Sequence, residues 1–148
     1  MASAAKLYTA EVLGLATALA AWPFDPGMPL TGQARSQSCG STLGISLQLD
    51  EAGRIAALGL RPQACAVGQA SAAIFAGGAV GKSCAEIAAA EAALASWLAG
   101  AAPLPEWPGL ATLAAARDYP GRHGAMLLPW RAALDALSRA LPRASIPG

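Results

Sequence analysis

The chain has 148 residues, of which 55% are hydrophobic and only 13% are charged, and its formal net charge is +1. This length predicts one domain, residues 1–148, with a core of its own. No basic patch interleaved with aromatic residues is present, which excludes the usual nucleic-acid-binding surface. The longest apolar run, residues 12–22, is too short to span a bilayer, so we expect no membrane partner.

The cysteine content indicates a reducing compartment. Three cysteines are an odd number and do not form a disulfide framework in a chain of this size. A secretory signal is the alternative, because Lys6 precedes an apolar stretch and Ala18-Leu19-Ala20 resembles a cleavage site. Glu11 and the single lysine before the apolar stretch argue against that signal. We therefore expect a cytoplasmic protein.

The first predicted element is an amphipathic helix. Thr9 is a suitable N-cap residue, and Pro23 ends the helix. Its apolar face follows helical spacing and consists of Val12, Leu15, Ala16, Leu19 and Trp22. Residues 24–31 contain two prolines and a glycine and predict a loop. The polar residues 32–38 favour an edge strand.

Two strands with alternating apolar residues predict a β-hairpin at residues 43–50 and 54–62, joined by the Asp50-Glu51-Ala52-Gly53 turn. Cys39 precedes the first strand, and Cys65 follows the second at the start of a small-residue helix. Because the entry to the first strand lies beside the exit from the second, we expect both cysteines at one end of the hairpin.

The second half of the chain is predicted to be helical. The helix from Cys65 runs to about Phe75, where Gly77-Gly78 is a typical C-terminal stop. Ser83 and Glu86 form a capping box for a helix that ends at Gly100. Cys84 lies in the first turn of that helix and is interpreted as a core residue.

A proline-rich surface loop is predicted at residues 101–109, followed by a short helix at residues 110–117. His123 lies at the start of a further predicted helix, and a final helix follows Pro129. The buried stripe of that final helix is predicted to consist of Trp130, Ala133, Leu134, Leu137 and Leu141.

Residues 76–83 match a relaxed phosphate-loop pattern that ends in Gly81-Lys82-Ser83. A phosphate loop needs a buried strand before it, so that its backbone N–H groups can surround the phosphates. Here a predicted helix precedes the pattern, and no apolar strand ending in Asp is available for Mg²⁺. We therefore exclude nucleotide binding.

Cys39, Cys65 and His123 are the candidate functional residues. The N-terminus of a helix favours a thiolate at Cys65. The alternative is that each cysteine is only a small buried hydrophobic residue and that the single histidine is structural. A nucleophilic Cys–His pair has no evident Asn or carboxylate to orient the imidazole, and the acidic residues are scattered. The sequence thus predicts a protein that is not an enzyme.

Several segments, in this order, resemble the U-type iron–sulfur cluster assembly scaffolds, the family of IscU, SufU and the N-terminal domain of NifU. They are Cys39-Gly40-Ser41, the hairpin, Ala64-Cys65-Ala66-Val67-Gly68, Gly81-Lys82-Ser83 and His123-Gly124-Ala125. The resemblance extends from Tyr8 to about Leu141, and the proline-rich segment is similar to the insertion of the SufU-like branch.

The resemblance implies an α/β (α+β) fold, with a small antiparallel three-stranded sheet packed against about five helices. It implies that Cys39, Cys65 and His123 bind zinc, iron or a transient iron–sulfur cluster. It also implies that the chain accepts sulfur from a cysteine desulfurase and serves apo iron–sulfur proteins.

The sequence departs from the family pattern at two positions. Ser41 replaces the usual Asp, and Gly124 replaces the usual third Cys, so the ligand set is degenerate. The Leu-Pro-Pro-Val-Lys chaperone signal of the IscU branch is also absent. Two alternatives therefore stay open, namely a non-catalytic interaction or regulatory protein with the scaffold fold, and a zinc-bound sulfur-transfer module.

Overall fold

The computed structural model describes residues 7–37 and 40–140. The α-helices in this part of the chain are α1 (Ala10–Ala18), α2 (Ala66–Ala79), α3 (Cys84–Leu98) and α4 (His123–Ser138). The strands are β1 (Leu30–Arg35), β2 (Thr42–Leu49) and β3 (Ile55–Gln63). Three 3-10 helices complete the secondary structure at Leu19–Ala21, Leu110–Asp118 and Pro120–Arg122.

The three strands form an antiparallel sheet in the order β1-β2-β3. The predicted hairpin is confirmed, with each strand shifted by one residue, and Gly53 closes its turn with a φ of 80°. The predicted edge strand is confirmed as β1. Leu43, Ile45 and Leu47 of β2 are fully buried, as the alternating pattern predicts.

Helices α2 and α4 cover one face of the sheet, α1 packs on α2, and α3 packs on α4. Gly32 is required where α4 crosses β1, because a Cβ atom there would lie 2.4 Å from the backbone nitrogen of Ala136. The described elements share one apolar core, so the predicted α+β fold is confirmed. The single domain predicted over residues 1–148 stays a prediction.

The end predicted for α2 at Gly77-Gly78 is wrong, because the helix continues through both glycines to Ala79. The indole of Trp107 packs against this turn, and a Cβ atom on Gly78 would lie 2.6 Å from its Nε1. Gly78 therefore leaves the space that the buried Trp107 side chain occupies, and it does not end the helix. Gly81, with a φ of 88°, lies in the turn that follows.

Trp107 also changes the interpretation of the proline-rich segment. Its side chain is buried, and Nε1 donates a hydrogen bond of 2.9 Å to the carbonyl of Ile74. Its ring stacks on Phe75 with centroids 5.5 Å apart. The segment is irregular as predicted, but this residue anchors it to α2.

The separate helix predicted after Pro129 is wrong, because α4 is continuous from His123 and contains Pro129 in its interior. Proline removes one helical hydrogen bond, and such a loss is tolerated when tertiary packing holds the helix. Every residue from Ala125 to Trp130 is buried, which supplies that packing. Leu141, predicted for the buried stripe, lies outside the described residues.

A helix, α2, precedes the Gly81-Lys82-Ser83 turn, which agrees with the exclusion of a phosphate loop. In the described ranges, no helix is long and apolar enough to cross a membrane.

Candidate functional site

The candidate site lies at the end of the sheet where β2 begins and β3 ends. Thr42 of β2 pairs with Gln63 of β3, two residues before Cys65. The connection from β1 to β2 is closed by a 2.8 Å hydrogen bond from the Ser36 amide to the Ser41 carbonyl. Cys39 belongs to this connection in the sequence, but it lies outside the described residues.

Cys65 is the N-cap residue of α2 and has the extended backbone of that position, with a φ of −63° and a ψ of 170°. Its side chain forms no capping hydrogen bond, and it is partly buried against the core. Gln69 fixes the backbone on both sides, because its amide donates to the Cys65 carbonyl and its Nε2 donates to the Ala64 carbonyl. The Cys65 thiol thus lies on a turn whose backbone is fixed by hydrogen bonds, and the thiol itself does not cap the helix.

His123 is the first residue of α4, and its Nε2 lies 2.8 Å from the carbonyl oxygen of Arg117. A carbonyl only accepts hydrogen bonds, so Nε2 carries the proton of this bond. In the neutral imidazole, Nδ1 is therefore the nitrogen with a free lone pair. Metal-binding histidines commonly have a backbone carbonyl on their other nitrogen, which fixes both the tautomer and the ring orientation.

The first turns of α2 and α4 lie side by side. A Cβ atom on Gly68 would lie 3.5 Å from the Ala125 Cβ, and the buried Ser71 hydroxyl donates a 2.6 Å hydrogen bond to the Met126 carbonyl. Cys65 precedes Gly68 by one helical turn, and His123 precedes Ala125 by two residues. The fold therefore brings Cys65 and His123 to the same end of this helix pair.

The two positions that depart from the family pattern are Ser41, directly before β2, and Gly124, directly after His123. Ser41 is buried, with 5% of its surface exposed, and Gly124 is the second residue of α4. Within residues 7–37 and 40–140, no three His, Cys, Asp or Glu side chains are grouped closely enough to hold a metal ion.

Cys84 lies elsewhere, as the first residue of α3, where it packs against the core as predicted. Sequence reasoning missed the role of Arg117, whose backbone carbonyl orients His123. No sequence pattern could reveal that bond, because any residue type carries the same carbonyl. It depends on the 3-10 helix Leu110–Asp118 ending beside the start of α4.

No protein-family model matches the chain, and no curated protein matches it by sequence. Among solved structures, it is similar to a nitrogen-fixing NifU-like protein (N-terminal) from Brucella abortus, with a TM-score of 0.84 and 26% identity. That similarity covers 93% of this chain and 96% of the Brucella chain.

A second similar structure is a putative iron–sulfur cluster assembly scaffold protein for the SUF system from the thermophile Fervidobacterium islandicum AW-1. Its TM-score is 0.79 at 19% identity, covering 91% of this chain and 99% of the other. A third is a hypothetical protein, with a TM-score of 0.63, 20% identity and coverage of 86% and 97%. The resemblance found in the sequence is thereby confirmed.

Proposed function

We propose that this chain, which has the fold of the U-type scaffolds, acts in iron–sulfur cluster assembly as a scaffold and not as an enzyme. The observations that support the proposal are that Cys65 follows β3 at the end of the sheet where β2 begins, and that the first turns of α2 and α4 pack against each other. The similarity to the Brucella NifU-like domain over nearly the whole chain supports it.

The proposed ligands are the thiolates of Cys39 and Cys65 and the Nδ1 atom of His123, and the metal or cluster is their cargo. Thiolate and imidazole are the donors that zinc and iron–sulfur clusters prefer. These three donors leave at least one coordination position for water, a small thiol or a second subunit. Such an incomplete set suits a cluster that is held briefly and passed on to an apo iron–sulfur protein.

Cys65 is the proposed sulfur acceptor from a cytoplasmic cysteine desulfurase. Its thiolate attacks the outer sulfur of a persulfide on the desulfurase, and a new S–S bond forms at Cys65. The S–S bond of the desulfurase breaks, and its cysteine leaves as a thiolate. The exchange conserves electrons, so it requires no added oxidant or reductant.

Anaerobic reconstitution with iron and sulfide tests this function, with iron and sulfide measured per chain after gel filtration. We expect the parent protein to retain iron, and the Cys39→Ala and Cys65→Ala variants to lose most of it. Cys84→Ala is the matched control, because this cysteine lies in α3 and should leave the iron content unchanged. Equal losses in all three variants, or no iron above background in the parent, would overturn the proposal.

The second candidate function is a non-catalytic interaction protein that keeps the fold without binding a cluster. Ser41 and Gly124, at positions where the family has ligands, favour it. It predicts a colourless protein whose thermal unfolding does not change when a chelator is added. Zinc retained through purification without iron uptake would instead indicate a zinc-bound sulfur-transfer module.

A further inference from the structure

The face of the sheet opposite α2 and α4 carries polar and cationic side chains. Across the three strands, Gly44 pairs with Gln33 on one side and with Arg61 on the other. In the adjacent row, Thr42 pairs with Arg35 and Gln63. We call this surface the arginine face, defined by Gln33, Arg35, Thr42, Gly44, Arg61 and Arg139.

The arginine face is a shallow trough and not a flat surface. Three adjoining cavities of about 210, 200 and 350 Å³ lie along it and share Gln33, Thr42, Gly44 and Arg61 among their walls. Gly44 has no side chain to fill the centre of the trough. Among the described residues that line these three cavities, none is acidic.

Arg61 and Arg139 are held in place by neighbouring side chains, but not every arginine of this face is paired with a carboxylate. The Arg61 guanidinium lies 4.1 Å from the centroid of the Phe24 ring, which fixes its position. Among the described residues, neither Arg35 nor Arg61 forms an ion pair with a carboxylate. The nearby Asp25 carboxylate accepts a 2.8 Å hydrogen bond from the Gly27 amide instead.

Arg139 reaches the trough from the end of α4 and is paired with Asp135 at 3.0 Å. The same Asp135 carboxylate accepts a 2.9 Å hydrogen bond from the Gln33 amide on β1. Asp135 therefore links α4 to the edge strand β1. Its carboxylate is paired with Arg139 and so does not neutralise Arg35 or Arg61. Within the part of the chain that the structure describes, the positive charge of the face that no carboxylate pairs comes from Arg35 and Arg61.

Several backbone amides along the outer strands β1 and β3 already donate hydrogen bonds to groups outside the sheet. On β3, the Leu60 amide donates to the Trp22 carbonyl at 2.8 Å, and the Ile55 amide donates to the Lys82 carbonyl at 3.0 Å. On β1, the Gln33 amide donates to the Asp135 carboxylate. These amides are therefore not available to pair with an added strand, which leaves the side chains of the face as the groups that could contact a partner.

We propose that the arginine face binds an acidic segment of a partner protein through that segment's side-chain carboxylates. Planar guanidinium groups match carboxylates in a two-bond geometry, and a trough of uncompensated arginines complements an acidic chain. Arg35 and Arg61 stand on outer strands in adjacent rows, so their Cα atoms are roughly 12 Å apart by standard strand spacings. Two successive anionic groups fit this separation better than one isolated anion does.

A fluorescein-labelled oligoglutamate peptide tests the proposal by fluorescence anisotropy at low and at physiological ionic strength. We expect binding that weakens as salt is added and falls roughly tenfold in the Arg35→Gln/Arg61→Gln double variant. The matched control is Arg54→Gln/Arg131→Gln, which removes the same net charge from arginines already paired with Glu86 and Glu91. The control should bind the peptide within about twofold of the parent.

Three results would overturn the proposal. Equal losses in the two double variants would show attraction to the net charge alone, and no peptide binding at low salt would exclude an acidic partner. Inorganic phosphate that displaces the peptide at matched charge concentration would indicate a small-anion site. If the double arginine variant fails to fold, Gln33→Glu serves instead, because it adds a negative charge to the trough at an exposed position.

Discussion

The four α-helices of residues 7–37 and 40–140 begin in two different ways. Helices α1 and α3 begin at Thr9 and Ser83, whose side chains accept hydrogen bonds from the backbone of the first turn. Helices α2 and α4 begin at Cys65 and Arg122, and neither has a side-chain cap. The capped pair lies away from the candidate site, whereas the uncapped pair carries Cys65 and His123.

On the proposed function, the side chains at the starts of α1 and α3 stabilise those helices, whereas the start of α2 keeps a thiol for the proposed ligand set. Cys65 has the extended backbone of an ordinary N-cap residue, so a serine there could cap the helix. Sulfur is a weak hydrogen-bond acceptor, and the position forgoes that stabilisation. At α4, the 3-10 turn Pro120–Arg122 leads into the helix, and the amide of His123 donates to the Pro120 carbonyl.

The largest expected effect is at the start of α3. Ser83→Ala removes the hydroxyl that accepts from the Glu86 amide, and so leaves the bond from the residue-83 amide to the Glu86 side chain without its reciprocal partner in the capping box. We expect the free energy of unfolding to fall by about 1–2 kcal/mol in urea denaturation. Ser96→Ala, a change inside the same helix, is the control and should alter it by less than about 0.5 kcal/mol. Equal losses would contradict a specific capping role.

The start of α1 should show a smaller loss. Thr9 accepts one bond, from the Val12 amide to its hydroxyl at 3.2 Å, and the apolar Val12 at this position cannot complete a capping box. Thr9→Ala should lower the free energy of unfolding by about 1 kcal/mol, whereas Thr9→Ser should keep most of it. A loss as large with serine as with alanine would mean that the methyl group, and not the cap, is responsible.

The start of α2 should show the opposite sign. Cys65→Ser supplies the missing acceptor, and we expect the metal-free protein to gain about 0.5 kcal/mol of unfolding free energy. Cys84→Ser is the matched control, because Cys84 follows the α3 cap and gains no bond from a hydroxyl. The proposal is that Cys65 keeps a thiol at the cost of a helix cap. A higher unfolding free energy in both variants, or a lower one in Cys65→Ser, would contradict it.

The smallest effect concerns pH. The Ser83 amide, and then Arg54, lower the pKa of Glu86 below its ordinary value of 4.5. A lowered pKa means that the charged form stabilises the folded state above that ordinary value, and that this is lost as pH falls through the folded pKa. The difference in melting temperature between the parent and Glu86→Gln should therefore be largest at neutral pH and disappear under acid conditions. A difference in melting temperature that stays constant with pH would contradict a stabilising role for the charged Glu86 carboxylate.

The sequence predicted those elements whose signals are local. Ser83 and Glu86 predicted the capping box, and the alternation of Leu43, Ile45 and Leu47 predicted the buried face of the hairpin. The ends of helices at glycine and proline were predicted less well. Gly78 lies inside α2 because Trp107, distant in sequence, needs the space, and Pro129 lies inside α4 because its neighbours are all buried.

The candidate site was predictable only in part, for the same reason. The hairpin alone indicated that Cys65 lies at the end of the sheet where β2 begins, since that follows from strand pairing. The adjacency of the α2 and α4 starts depends on Gly68 and Ala125 packing together, and the orientation of His123 depends on a backbone carbonyl. Neither leaves a pattern in the sequence.

The most direct test of the account is the unfolding free energy of the parent and of Cys65→Ser, each measured with and without zinc. Without metal, the serine variant should be the more stable of the two. With zinc at a hundred times its dissociation constant, the parent should gain about 2.7 kcal/mol and become the more stable protein, while the variant gains little. An equal effect of zinc on both proteins, or none on the parent, would contradict the claim that the α2 start gives up its cap for metal binding.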